Sequence, residues 1–254
     1  MTALIFDCDG VLADTERDGP RPAFNQALEE FGLPAHWSVE DYGRALRFGG
    51  GKERMRSLLT PEFVAQAGLP VDAEGQAAEI AKWHKRKTEL YVQMARAGRL
   101  PARPGIARIV AEARAAGWRL AVCSTSAEPS VRAILENAVG SEAAAGFLVL
   151  AGDVVPAKKP APDIYLLALE RLGIDPFEAI VVEDSRNGLL AASAAGLATV
   201  VTVTGYTRDE DFSEAALVVS SLGDPGAKPI EVLADRRAVK PAGYVTLADL
   251  GACL

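Results

Sequence analysis

The sequence predicts an α/β fold in which a doubly wound parallel sheet carries an inserted helical segment. Short apolar runs alternate with helical patterns along most of the chain, as in repeated βαβ units. The alternation stops between residues 15 and 99, where only helical periodicity remains. Three of the apolar runs are followed at once by acidic or hydroxyl residues, and in an open parallel sheet such strand ends meet in one crevice.

The order of the elements follows from these patterns. Five apolar, partly β-branched runs predict strands at residues 3–6, 120–123, 147–150, 180–182 and 199–203. Helical patterns predict the main helices of the sheet region, at residues 106–116, 128–137, 162–172 and 185–195. After Gly223 the sequence is loop-like, and residues 244–247 predict a last strand.

The helical segment predicts a cap domain of residues 15–99 on a core made of residues 1–14 and 100–254. Apolar residues of the segment recur at helical spacing, as Phe24 and Leu28 do, and Ile80 and Trp83. Glycine and proline within residues 98–104 mark the return of the chain to the core.

The composition is that of a globular protein whose overall charge excludes some partners. Of the 254 residues 49% are hydrophobic, and the net charge of −7 argues against a general binder of nucleic acid or of anionic membranes. Apolar stretches are too short to span a membrane, and two histidines argue against a His-based zinc site. Nothing in the sequence indicates an obligate protein partner.

The cysteines and the N-terminus predict a location inside the cell. Cys8, Cys123 and Cys253 form no CxxC pair and no plausible disulfide framework, which fits a reducing compartment. The first apolar run is short and Asp7 follows it, so we expect no signal or transit peptide. The expected location is the cytoplasm, or the plastid stroma if the source is a photosynthetic eukaryote.

Asp7 and Asp9 follow the first predicted strand and suit phosphoryl transfer. A turn can bring both carboxylates to one side, where Asp7 would attack phosphorus and become an aspartyl phosphate. Asp9 would protonate the leaving alcohol and then deprotonate the attacking water. The simpler interpretation of the pair is a strand that ends in a turn formed by Asp and Gly.

Glu183 and Asp184 follow another predicted strand and supply hard oxygen donors for Mg²⁺. With Asp7 and Asp9 they predict a metal site in which Asp184 is the first choice and Glu183 binds through water. The cation would also relieve the repulsion between the paired carboxylates. The simpler interpretation is an acidic first turn of the following helix, and both can hold together.

A phosphate site is predicted at Ser124, Thr125 and Ser126, whose hydroxyl and backbone N–H groups follow the strand at residues 120–123. Lys159 precedes a stiff Pro-Ala-Pro segment and is the predicted phosphate-binding lysine. Lys158 is the alternative, and we expect one of the two to be only a solvated charge.

These motifs together resemble the haloacid dehalogenase superfamily of phosphohydrolases. Asp7 to Leu12, Ser124, Lys159 and the Glu183–Asp184 pair correspond to its motifs one to four, with a type-one cap between the first two. Further segments resemble the CbbY branch: residues 14–19, 49–55, 87–89, 152–156 and 205–207. The resemblance implies a phosphatase of xylulose 1,5-bisphosphate, which is an inhibitor of Rubisco.

The resemblance also implies substrate-binding residues in the cap. Lys52 and Lys87, and more weakly Arg54, would hold the phosphate that is not cleaved, while Gly51 lets the backbone approach it and Glu16 contacts sugar hydroxyls. Surface Lys and Arg residues are more often simply solvated. One departure is Pro20, which stands where the branch usually has a histidine.

The predicted function is therefore that of a Mg²⁺-dependent sugar-bisphosphate phosphatase whose partner is a small sugar phosphate. A mutase of the β-phosphoglucomutase type would use the same carboxylate pair, and only its product distinguishes it. A non-catalytic sugar-phosphate sensor is a third reading, although it would need neither Asp7 nor Asp9. A dehalogenase fits poorly, since its chemistry needs no second aspartate and no metal.

Overall fold

A seven-stranded sheet forms the centre of the molecule in a computed structural model that describes residues 2–13, 19–48 and 50–254. The strand order is β3-β2-β1-β4-β5-β6-β7, and all neighbours are parallel except the pair β6–β7. The strands are β1 (Ala3–Phe6), β2 (Arg119–Ser124), β3 (Phe147–Ala151), β4 (Ala179–Glu183), β5 (Ala198–Thr202), β6 (Leu217–Val219) and β7 (Val232–Asp235). The predicted doubly wound α/β class is confirmed.

The order in which strands are added to the sheet reverses at β1, although the strands themselves stay parallel. It first adds β2 and β3 on one side and then returns to add β4 on the other, so that β1 pairs with both β2 and β4. All four β1 residues are fully buried, as expected for a central strand covered on both faces. In such sheets ligands bind outside the carboxyl ends of the strands, at the point of reversal.

Helices cover the sheet and form the inserted segment. The segment holds α1 (Pro20–Glu30), α2 (Val39–Ala45), α3 (Gly51–Arg56), α4 (Pro61–Gln66) and α5 (Ala73–Arg96). The remaining helices are α6 (Ile106–Ala115), α7 (Glu128–Val139), α8 (Ser141–Ala144), α9 (Asp163–Leu172), α10 (Arg186–Ala194) and α11 (Leu247–Ala252). Among the described residues, none of these helices is both long enough and apolar enough to cross a membrane.

The inserted helices have a buried cluster of their own, which contains Phe24, Trp37, Tyr42, Met55 and Trp83. The last part of α5 belongs instead to the main cluster under the sheet, through Leu90, Tyr91 and Ala95. Helix α5 therefore joins two packed regions, and its C-terminal half packs close to α7.

The prediction of a last strand at residues 244–247 was wrong. Val245 is buried and its backbone N–H donates to Leu222, which explains the strand-like apolar pattern. The next residue, Thr246, caps α11 in a reciprocal capping box with Asp249. The last two strands, β6 and β7, were not predicted because one has three residues and the other is an edge strand with exposed apolar side chains.

Buried Arg103 fastens the loop after β1 to the far half of the sheet. Its guanidinium donates to the carbonyl oxygens of Gly10, Thr202, Val203 and Ser220. A planar guanidinium with five donors is suited to such convergent acceptors. The contact fixes the backbone directly beside Asp9.

Candidate active site

Three strand ends bring the predicted motifs together. Asp7 directly follows β1, Ser124 ends β2 and Glu183 ends β4, and these three strands are neighbours in the sheet. The backbone N–H of Asp7 donates to the carbonyl of Val182 at 2.9 Å and so continues the pairing of β1 with β4. The positions of Asp7 and Glu183 are therefore set by sheet register rather than by a flexible loop.

Lys159 lies at the centre of this group and is buried. Its ammonium nitrogen is 2.7 Å from Asp7 Oδ1, 2.6 Å from Glu183 Oε1 and 2.8 Å from the carbonyl oxygen of Cys123. Lys158 turns the other way and bonds Glu53 and Asp153. Of the two lysines considered from the sequence, the structure thus brings only Lys159 to Asp7.

Three carboxylates form the acidic group of the site. Asp7, Glu183 and Asp184 are buried, and each offers an oxygen within 4.8 Å of the others. If all are ionised, three carboxylates face the single ammonium of Lys159 and two negative charges remain. A hard divalent cation such as Mg²⁺ matches both the oxygen donors and this residual charge. The residues present therefore fit the predicted metal.

Gly10 makes the approach of Asp184 possible. Its φ angle is +82°, and a Cβ atom at this position would lie 2.1 Å from Asp184 Oδ2. Any other residue would be strained and would also collide with the carboxylate. The glycine of the first motif thus has a packing reason that the sequence alone did not show.

Glu183 is fully buried and already has hydrogen bonds to both carboxylate oxygens. Oε1 accepts from Lys159 and from the Tyr165 hydroxyl at 2.6 Å, while Oε2 accepts from the backbone N–H of Asp184 at 3.1 Å. These bonds leave little capacity for direct metal coordination at Glu183. Glu183 is placed to orient Lys159.

The electrostatics of the site reflect the burial of many ionisable groups. Burial raises the pKa of Asp7 to about 8, with Glu183 adding to the rise and Lys159 opposing it. Burial alone would lower the pKa of Lys159, but the carboxylates of Asp7 and Glu183 raise it well above its ordinary value. Lys159 is therefore charged at neutral pH, and ionised Asp7 gains from any further cation beside it.

The Asp9 side chain lies outside the group of three carboxylates. Its Oδ1 accepts a hydrogen bond of 2.7 Å from the Tyr91 hydroxyl, and its Oδ2 accepts one from the Ser126 hydroxyl. A direct metal contact of this side chain stays a prediction. The carboxylate is instead fixed at both oxygens and faces the cavity next to Asp7.

A cavity of about 240 Å³ opens above these residues. It is lined by the predicted catalytic and phosphate-binding residues, namely Asp7, Asp9, Ser124, Thr125, Ser126 and Lys159. Asp184 reaches the same cavity. The volume suits a small phosphorylated metabolite rather than a polymer.

Cationic side chains of the inserted helices also line this cavity. Lys87 is buried, with its ammonium 4.7 Å from the ring centre of Phe24 and 4.8 Å from that of Tyr91. Arg54 donates to the Tyr42 hydroxyl at 2.8 Å and also reaches the cavity. Both predicted cations therefore line the same cavity as Asp7 and Asp184.

Lys52 has a different environment. Its ammonium lies 2.5 Å from Asp153 Oδ2, and Lys158 links Asp153 to Glu53 at 3.1 Å on each side. These four residues, the bridging ion-pair group, connect α3 to the loop after β3. A role of Lys52 in substrate binding stays a prediction that requires this ion pair to open.

The remaining predicted residues differ in what the structure shows. Gly51 lines the cavity, and a Cβ atom there would lie 2.7 Å from His84 Nε2, so the missing side chain makes room for the histidine. Pro20 also lines the cavity, as the first residue of α1. Glu16 lies outside the described residues.

Sequence reasoning did not single out His84 and Tyr91 as site residues. Both line up with Lys87 on one face of α5, three residues before it and four after it. The helical spacing around Lys87 was the available signal. Tyr165 was also missed, since an isolated tyrosine in a helix gives no sign that it contacts Glu183.

Comparison with known proteins agrees with this geometry. The family model for haloacid dehalogenase-like hydrolases matches residues 1–196. A CBBY-like protein of Arabidopsis thaliana is 49% identical over 88% of this chain and 70% of its own length. The CbbY protein of Cupriavidus necator is 43% identical over 91% of this chain and 89% of its own.

Solved structures show the same likeness. CbbY from Rhodobacter sphaeroides in complex with phosphate is 37% identical, with a TM-score of 0.80 over 98% of this chain and 99% of its own. A variant of the same protein in complex with xylulose-(1,5)-bisphosphate gives a TM-score of 0.81 over the same shares. The resemblance noted from the motifs is confirmed.

We expect His84 to remain neutral far below its ordinary pKa. Burial, together with the ammonium groups of Lys87, Lys52 and Lys158, lowers the pKa of this half-buried imidazole to about 4. Protonation therefore favours the unfolded chain, and the stability that neutral His84 contributes is lost as the pH falls from about 6.5 towards 4. An NMR titration of the ring protons should show no inflection for His84 between about pH 8 and 5.

The ring-proton signal of His84 is assigned by its absence from the NMR spectrum of the His84→Gln variant. A midpoint near 6.5 in the folded protein would show that the ring is solvated and lies away from the three lysines.

Proposed function

This chain belongs to the haloacid dehalogenase-like hydrolases, and from that premise we propose that it is a Mg²⁺-dependent phosphatase that hydrolyses xylulose 1,5-bisphosphate. Its relatives support assignment as a sugar phosphatase. The observation that carries the finer proposal is a single cavity that is lined both by Asp7, Lys159 and Asp184 and by Lys87 and Arg54. A ligand with phosphate at both ends satisfies both groups of charges.

We assign the chemical step to Asp7 and Asp9. Lys159 holds Oδ1 of Asp7, so the other oxygen is free to attack phosphorus and form an aspartyl phosphate. Asp9 gives a proton to the departing sugar oxygen and later takes one from the water that hydrolyses the intermediate. Ser124, Thr125 and Lys159 bind the oxygens of the transferred group as negative charge shifts onto them.

We assign the Mg²⁺ site to Asp7 and Asp184, with Glu183 and the loop of Asp9 around it. When bound, the ion neutralises phosphate oxygens and favours the ionised form of nearby carboxylates. Glu183 keeps Lys159 in place through its own hydrogen bonds. Gly10 leaves the space in which Asp184 lies.

We infer that residues 15–99 act as a cap on a catalytic core of residues 1–14 and 100–254. The bridging ion-pair group joins Lys52 and Glu53 of α3 to Asp153 and Lys158 of the core. Closure over the sugar would exclude water and bring Lys87 and Arg54 to the distal phosphate.

The substrate and metal can be tested together. We expect the protein with Mg²⁺ to release about one equivalent of inorganic phosphate from xylulose 1,5-bisphosphate, because the monophosphate product has no second phosphate for Lys87 and Arg54 to hold. Exhaustive chelation should abolish the reaction and added Mg²⁺ should restore it. Phosphate release and sugar products are measured over a panel of sugar mono- and bisphosphates.

Two results would contradict the proposal in different ways. Activity that survives chelation would remove the metal from the mechanism, whereas an isomeric sugar phosphate without free phosphate would identify a mutase.

The nucleophile is tested with Asp7→Asn, which we expect to abolish turnover and leave the fold intact. An amide of similar size fills the same space but cannot form the phosphorylated intermediate. Activity is measured as phosphate release, and folding by circular dichroism and thermal unfolding.

Asp9→Asn is the matched control because it makes the same chemical change two residues away. Loss of general acid–base catalysis should slow turnover by roughly 10²–10⁴-fold without preventing attack by Asp7. Steady-state activity in Asp7→Asn equal to that in the unaltered protein would overturn the assignment.

The distal phosphate site is tested with Lys87→Met, which keeps the volume between the rings of Phe24 and Tyr91 but removes the charge. A hydrogen bond to a charged group contributes roughly 1.5–3 kcal/mol, so kcat/KM for the bisphosphate should fall about ten- to a hundred-fold. The value for p-nitrophenyl phosphate, which has no second phosphate, should barely change.

Lys85→Met is the control, because Lys85 is exposed on the same helix. Lys52→Met should show the same selectivity as Lys87→Met if its ammonium leaves Asp153 for the substrate. An equal fall for both substrates in Lys87→Met would mean that the lysine serves folding or closure instead.

A further inference from the structure

A hydrogen bond from an inserted helix reaches the proposed acid–base residue. The hydroxyl of Tyr91, in α5, donates to Asp9 Oδ1 at 2.7 Å. The two residues are 82 positions apart in the sequence, so the contact exists only in the folded molecule. Proton transfer by a carboxylate depends on the direction in which its oxygens point.

Tyr91 is held rigidly at this place. Its side chain is fully buried in the same cluster as Leu12 and Ala13, which directly follow the loop of Asp9. The C-terminal half of α5 packs there under the sheet, in a cluster that also contains Ala23 and Ala27 of α1. The hydroxyl therefore has a fixed position relative to the Asp9 backbone.

The surroundings of the phenol strengthen its role as a donor. The ammonium of Lys87 lies 4.8 Å from the centre of the Tyr91 ring, and a cation over the ring face withdraws electron density from it. The bond is thus polarised towards donation to the carboxylate. Tyr91 has no comparable acceptor role towards an ionised Asp9, which can only accept.

The two Asp9 oxygens are consequently not equivalent. Oδ1 is bonded to a fully buried phenol, whereas Oδ2 is bonded to Ser126, which lines the cavity. A serine hydroxyl can rotate and either donate or accept. Oδ2 can therefore carry a proton while Oδ1 stays fixed.

We propose that Tyr91 is a positioning residue, which holds Asp9 through Oδ1 so that Oδ2 exchanges the catalytic proton. This rests on the proposed function of Asp7 and Asp9. As the bond between phosphorus and the sugar oxygen breaks and the bond to Asp7 forms, the proton on Oδ2 passes to the sugar oxygen. In the second half, Oδ2 takes a proton from the water that attacks the aspartyl phosphate. Tyr91 keeps its own proton throughout.

The test compares leaving groups in Tyr91→Phe, which removes one oxygen atom from a fully buried ring. kcat/KM reports only the steps up to loss of the leaving group. A sugar alcohol must be protonated as it leaves, but p-nitrophenolate is stable without a proton. We expect kcat/KM to fall roughly ten-fold for the sugar phosphate and for an alkyl phosphate, and less than about two-fold for p-nitrophenyl phosphate.

Two further variants distinguish positioning from folding. Tyr244→Phe makes the same change at a half-buried tyrosine outside the cavity and should alter neither value. Adding Tyr91→Phe to Asp9→Asn should cause little further loss, because both changes act on one proton transfer.

An equal fall for all leaving groups, or an additive loss in the double variant, would overturn the proposal and leave Tyr91 a structural residue. That result would not touch the proposed function, which fails only if the unaltered protein releases no phosphate from any sugar phosphate with Mg²⁺.

Discussion

The buried ammonium of Lys159 is the contact around which the rest of the site is arranged. It joins Asp7 to Glu183 and to the carbonyl of Cys123, so that one charge connects the ends of β1, β4 and β2. Burying a single carboxylate without such a partner would cost several kcal/mol or force it to take up a proton. Removing the lysine would leave Asp7 and Glu183 buried with no opposite charge of the protein to offset their repulsion.

Each further part of the site meets a need that this buried group creates. The Tyr165 hydroxyl donates a hydrogen bond to Glu183. Burial raises the pKa of this phenol well above its ordinary value, so that it remains a neutral donor. Gly10 has no side chain, and this leaves the space in which the Asp184 carboxylate lies. The excess negative charge that remains favours protonation of Asp7, and the proposed divalent cation would oppose this by favouring the ionised carboxylate.

The inserted helices contribute charged side chains to the cavity and to its surroundings. Lys87 and Arg54 bring positive charge to the cavity, while Lys52 and Glu53 contact the core through Asp153 and Lys158. Asp153 is exposed and the other three residues of the group are half-buried, and ion pairs that solvent reaches contribute little to stability individually. Their arrangement is more informative, because they join α3 of the inserted segment to the loop after β3. Tyr91 differs from these residues because its side chain is fully buried, in the C-terminal half of α5.

The motifs at the strand ends could be predicted from the sequence because parallel strands impose a common edge. Asp7, Ser124 and Glu183 were found in this way, and the strands themselves were correct to within one or two residues. Prediction failed where the local pattern was weak. The short strand β6 and the exposed edge strand β7 had too little apolar pattern to be found. Val245 resembled a strand residue because it is apolar and buried.

The sequence by itself determined the fold class and the residue types of the chemistry, since apolar periodicity and motif order are local properties. Only the tertiary structure decided which of two adjacent lysines meets Asp7, that Lys52 faces Asp153, and that Tyr91 and His84 reach the site. Those outcomes depend on where separate helices and loops meet in space. Side-chain direction at such a meeting is fixed by packing and charge from distant parts of the chain, which no local pattern records.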